Sequence, residues 1–196
     1  MNNLYDLLKF LHVLGFVFMT IPLFNLIVVN ERALFGQTFH YYADRYMENI
    51  IAHGAYRCFV FQATVFVTGV LLLVFGPLGI EALWTNWIIL TKTSLLFMLV
   101  GSLSYVHFTL QPKIEMLMAS VKPDSVVPDN LMSDLKPLRV RRKRMASFCL
   151  FGVITTIILG LQVYAAFSPP LTIVLIGLAG LFSWRTYKVL NQFGWF

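Results

Sequence analysis

The chain has 196 residues, of which 58% are apolar and only 12% charged, with a formal net charge of +6. An ordinary soluble domain is about 45–50% apolar and about 25% charged, so the composition excludes one, along with disordered, collagen-like, repeat and coiled-coil chains. The mean hydropathy of +0.75 is carried by long apolar runs between polar connections, the pattern that a bilayer core of about 30 Å demands of helices. A transmembrane β-barrel would instead alternate polar and apolar residues in segments of about 10.

The first apolar run, Phe10 to Val29, is uncharged, with Pro22 inside it and Asn25 a turn below. Asp6 and Lys9 before it and Asn30-Glu31-Arg32 after it lack the basic start and small-residue exit of a cleaved signal peptide, so a retained span over about 5–29 is expected. Polar, aromatic-rich sequence from Gln37 to Arg57 leads into a second span. Its run from Cys58 to Phe75 allows a start as early as Ile50, and it closes at Gly76-Pro77-Leu78-Gly79, a helix stop and turn. Trp84 and Trp87 stand where an interfacial aromatic belt would sit, and a third span follows over about 87–110, with Lys92 as its single charge.

Residues 111–144 read as one long hydrophilic connection, with Pro123, Pro128, Pro137 and the basic run from Arg139 to Arg144. A fourth span over about 145–167 and a fifth over about 171–187 are joined at Ser168-Pro169-Pro170, a tight hairpin. The expected fold is therefore an all-α, polytopic transmembrane bundle of five spans in a single membrane domain, residues 1–196. All Lys and Arg except Lys9 and Lys92 fall on the face that holds the first connection, the long loop and the C-terminus. By the positive-inside rule this predicts the N-terminus outside and the C-terminus in the cytoplasm, in a membrane of the bacterial inner type. The positive charge then marks topology and attraction to anionic lipid; a nucleic-acid partner would need a soluble domain to present it.

Function in such a chain concentrates at polar groups that the bilayer makes costly. His12 lies about 12 Å, and Lys92 about 7–8 Å, below the outer boundary, at comparable depth on different helices. His12 suits a haem or metal ligand in a dry pocket, set against a plain inter-helix hydrogen bond. Lys92 suits a carboxylate or propionate partner, set against snorkelling to the head groups. His53 and His107, on neighbouring antiparallel spans, offer a possible imidazole pair on the cytoplasmic side, provided the second helix starts early. Asn25, Gln62 and Gln162 read as inter-helix polar contacts. Cys58 and Cys149 have no disulfide-scaffold or zinc spacing and read as small apolar helix residues. Nucleotide-binding and hydrolase motifs are missing from the sequence, and the spans do not form two similar halves as many transporters do.

The stretch Lys9-Phe-Leu-His12-Val-Leu-Gly15, with Trp87-Ile-Ile-Leu-Thr-Lys92 opening the third span, resembles the small membrane proteins grouped around HemJ-type protoporphyrinogen oxidase and the CopD-like copper-resistance proteins. The resemblance covers about the first 110 residues. It implies a haem b ligand at His12 and an accompanying lysine at Lys92, and for CopD-like relatives copper handling; His53 and His107 remain further candidate ligands from their placement alone. The resulting expectation is a haem b-binding, cytochrome b-like membrane protein with a redox role, exchanging electrons with quinone or a partner subunit or oxidising a porphyrinogen. The alternative is a copper-handling protein or an accessory subunit that scaffolds a larger membrane complex.

Overall fold

A computed structural model describes residues 2–31, 39–123, 128, 130–163, 165 and 167–188; Arg32 and Gln37 lie outside them. The described residues are helical throughout, without a strand, as α1 (Asn2–Asn30), α2 (Tyr41–Phe75), a short α3 (Ala82–Thr85), α4 (Trp87–Tyr105), a π-helical turn (Val106–Leu110), α5 (Gln111–Ala119), α6 (Leu131–Gln162) and α7 (Pro169–Lys188). Five continuous helical stretches, Asn3–Asn30, Tyr41–Phe75, Trp87–Ala119, Leu131–Gln162 and Pro169–Lys188, are long and apolar enough to cross a membrane. The five expected spans each fall on one of them.

Local chemistry explains the boundaries. Gly79, at φ 73°, takes the left-handed conformation that the turn after α2 requires and that a β-carbon would oppose. The Asn86 side chain accepts from the backbone N–H groups of Ile88, at 3.0 Å, and Ile89, at 3.4 Å, capping α4. Pro112 has no N–H to give the carbonyl one helical turn before it, and the chain widens into the π turn just ahead of it, a usual way to absorb such a lost bond.

The helices are longer than the spans. At about 1.5 Å per residue, α2 extends about 52 Å and α6 about 48 Å, well beyond a core of about 30 Å. The excess gathers at the end of the bundle that holds the α1–α2 and α5–α6 connections, here the loop face. The hydrophilic stretch 111–144, which reads as a loop, is largely the helical overhang of α5 and α6. Its apolar residues repeat at helical spacing: Ile114 and Met118, then Leu131 and Leu135, pack with Phe39 and Val121 into a small second core. The main core joins α1, α2, α4 and α6 through Met19, Leu23, Ile27, Cys58, Leu99, Leu150 and Val153. Gly15 permits the close α1–α2 approach, since a β-carbon there would stand 2.9 Å from Val65 Cγ2. Helix α7 packs chiefly on α6 and leaves Ile173, Leu181 and Trp184 exposed, as a lipid-facing surface would be.

Candidate functional site

Two polar constellations lie at opposite ends of the bundle. At the loop face, the overhangs of α2 and α6 bury charge. Arg142 donates from Nη1 to Glu48 Oε2 at 2.6 Å, from Nη2 to Glu48 Oε1 at 2.9 Å and from Nε to Asn30 Oδ1 at 2.7 Å. Arg139 donates to Asp44 at 2.7 Å and to Glu48 at 3.1 Å, and Lys143 faces Glu31 at 3.6 Å. Gln111 accepts from Arg142 and donates to Glu115 at 2.9 Å. All six charged residues of these pairs, three acids and three bases, are buried, and their formal charges balance. Burial alone would raise the Glu48 carboxyl, but the guanidinium groups of Arg142 and Arg139, with Gln111, outweigh it and hold Glu48 below its ordinary range. Glu48 lies about 40 Å along α2 from Phe75, beyond the reach of a 30 Å core that starts there. The neighbouring Arg141 and Arg144 point out instead, over the rings of Tyr105 and Tyr187.

This clamp ties the ends of α1, α2, α4–α5 and α6 together. Sequence reasoning about single residues missed it, because it took the basic run as a solvated loop. The signal was present in the spacing: Asp44 and Glu48 at i, i+4, and Arg139 with Arg142 and Lys143 at i, i+3 and i, i+4, each place like charges on one helix face.

Toward the other end, a few polar groups lie within α1, α2 and α4. His12 on α1 lies 3.0 Å, through Nδ1, from the Thr68 hydroxyl on α2. Thr68 spends its single proton on backbone carbonyls of its own helix, Thr64 at 2.6 Å and Val65 at 3.3 Å. Its oxygen must therefore accept from His12, which sets the imidazole as the Nδ1–H tautomer and leaves the lone pair on Nε2. The ring lies against Gly69, where a β-carbon would stand 3.2 Å from Cε1, and its edge meets Phe16 with ring centres 5.8 Å apart. Lys92 lies on α4. Its Nζ would lie 3.4 Å from a β-carbon at Gly160 on α6, so the missing side chain there makes room for the amine. Among the described residues no carboxylate pairs with Lys92. His12 is thus placed against α2, and Lys92 against α6.

The other two candidate histidines take separate partners. His53 donates from Nδ1 to the Asn49 carbonyl at 2.8 Å and borders an open groove between α1 and α2. His107, in the π turn, stands edge-on to Tyr56, Phe59 and Phe108 with ring centres 4.8–5.9 Å away, and its buried Nδ1 has no hydrogen-bond partner among the described residues. Between the two constellations a cavity of about 50 Å³ is bordered by Met19, Cys58, Gln62, Met145 and Cys149, and Gln62 Oε1 is buried without a partner among the described residues. No cluster of three or more His, Cys, Asp or Glu side chains placed to hold a metal ion occurs among the described residues. No protein-family model, curated protein or solved structure matches the chain.

Proposed function

We propose that this chain is a haem b-binding redox protein of the membrane, in which His12 would hold the iron and Lys92 would be the cation for a haem propionate. The single observation that carries the reading is the Thr68–His12 hydrogen bond. A histidine that donates its far nitrogen to a fixed acceptor presents the other nitrogen with its ring orientation set, the arrangement that ligating histidines use. The donor chemistry fits the group: one imidazole with a free Nε2 lone pair and, on another apolar helix, an amine without a carboxylate among the described residues. Bound haem would supply one-electron chemistry. The chain's own residues fix the ligand through Thr68, seat its ring on Gly69 and place a positive charge at Lys92. His107, with its unsatisfied ring nitrogen, is the further candidate ligand, and His53 borders the membrane-facing groove.

The same proposal carries the expected setting: N-terminus outside and basic loop face in the cytoplasm, in a bacterial-type inner membrane, with quinone, a porphyrin or another membrane subunit as electron partner. The uneven distribution of Lys and Arg supports that orientation. The test is a reduced-minus-oxidised spectrum of protein purified in detergent from haem-replete cells, with His12→Ala, Lys92→Ala and His107→Ala alongside. A b-type band lost in His12→Ala supports the reading. A band lost only in His107→Ala moves the ligand to the loop-face half, and protein without any band overturns it.

Copper handling is the second reading, and one observation favours it. Cys58, Cys149, Met19 and Met145, four soft sulfur donors from three helices, border one cavity, and such donors select Cu(I). Competition for Cu(I) against a coloured chelator, with Cys58→Ser as control, separates it from the haem reading.

A further inference from the structure

The groove between α1 and α2, about 740 Å³ in volume, is of ligand size and changes character along its length. On α2 the residues Asn49, His53 and Arg57 follow one another at i, i+4 up one helix face, and the next step of that row is Phe61. On α1 the order is matched: Asn25 lies toward the loop face, and Phe18 lies toward the middle of the bundle. The groove is therefore polar at the loop face and aromatic deeper in, where Phe18 and Phe61 stack with ring centres 5.4 Å apart.

Arg57 sits about 27 Å along α2 from Phe75, at the edge of a core about 30 Å thick. It is exposed, and among the described residues neither a carboxylate nor another acceptor pairs with it. Arg139 and Arg142 are neutralised by carboxylates and Arg141 and Arg144 lie over aromatic rings, whereas Arg57 lines a groove and can take an anion from outside the chain. A planar guanidinium matches phosphate oxygens two at a time, and Asn25 and Asn49 line the same groove nearer the loop face. An occupant with an anionic head at the boundary and a hydrocarbon tail pointing to the bilayer middle has the polarity and the direction of this groove.

We propose that the α1–α2 groove is a specific site for one anionic phospholipid of the loop-face leaflet. Its phosphate is held by Arg57, with the rest of the headgroup toward Asn49, and an acyl chain runs over Phe18 and Phe61. The site does not depend on the haem reading.

The test is native mass spectrometry of the full chain in detergent, titrated with phosphatidylglycerol or with phosphatidylcholine of the same chains. The wild type is expected to retain one phosphatidylglycerol in preference to phosphatidylcholine. Arg57→Gln is expected to weaken that lipid by about tenfold or more, the scale of a lost charge-assisted hydrogen bond, and Arg57→Lys to recover part of it. Far-ultraviolet circular dichroism and the melting midpoint establish that the variants fold, and Phe18→Ala tests the tail independently of the charge. Equal retention of the two lipids, unchanged binding in Arg57→Gln, displacement by inorganic phosphate alone, or a retained amphiphile without phosphorus would each overturn the proposal.

Discussion

Arg142 on α6 and Glu48 on α2 face each other as a two-armed pair, at 2.6 and 2.9 Å, with both side chains almost wholly out of solvent. The two helices reach this contact only because both run past the apolar segment. The pair is expected to behave as a clamp whose partners are worth little singly. Removing one side of a buried pair costs about 3–5 kcal/mol, because the other charge is left without a partner, whereas replacing both with apolar groups is often neutral. Arg142→Gln should therefore lower the melting midpoint in detergent sharply, and Arg142→Met with Glu48→Leu should recover most of the loss. A double-variant loss equal to the sum of the two single losses would show that the pair does not act as one unit.

The same carboxylate sets an acid limit. Glu48 is held below its ordinary value of 4.5 in the folded chain, so its ionised form contributes stability that is fully present above that value. The contribution is lost as pH falls through the lower folded value. Melting midpoints of the wild type should fall on acidification in this range. Glu48→Gln should start from a lower midpoint at neutral pH and show a shallower acid slope. Parallel slopes would assign the acid sensitivity to other groups.

What the sequence made legible follows from contrast. Five apolar runs stand out against polar connections, so the spans could be read without coordinates, and His12 and Lys92 stand out inside two of those runs. The clamp could not be read the same way. Its charges lie in segments that are polar overall, where hydropathy does not separate a solvated loop from a helical overhang with one buried charged face. Thr68 was also silent, since a threonine in an apolar run is unremarkable until His12 is seen across from it. His53 and His107 were placed on the same side by topology, but helix rotation, which hydropathy does not specify, gives them separate surroundings.

Lys92 is expected to cost stability in the free protein. Its amine lies between α4 and α6 without a carboxylate among the described residues, and desolvating an unpaired polar group costs about 1–3 kcal/mol on the scale of protein substitutions. Lys92→Met keeps the length and apolar stem while removing the charge, so the melting midpoint of the ligand-free chain should rise. If haem binds as proposed, the same variant should hold it less tightly, giving opposite changes in stability and haem content. A lower midpoint in Lys92→Met would mean that the amine already has a stabilising partner.

The orientation of His12 can be disturbed from two sides. Thr68→Val keeps the side-chain shape but removes the acceptor for Nδ1–H, and loss of such a supporting bond typically lowers metal affinity by about 10–100-fold. Gly69→Ala puts a methyl group 3.2 Å from His12 Cε1, so the ring must shift by a few tenths of an ångström. Both variants should lower haem content per protein, with Thr68→Val the stronger, while circular dichroism still reports a helical bundle. Gly177→Ala is the control: nothing lies within 4 Å of a β-carbon at that position, and the change should raise helix stability by at most about 1 kcal/mol without touching the haem. If Gly69→Ala and Gly177→Ala retain haem equally, the His12 ring does not rest on α2 in the loaded protein, and its Nε2 is not the atom that Thr68 directs to the iron.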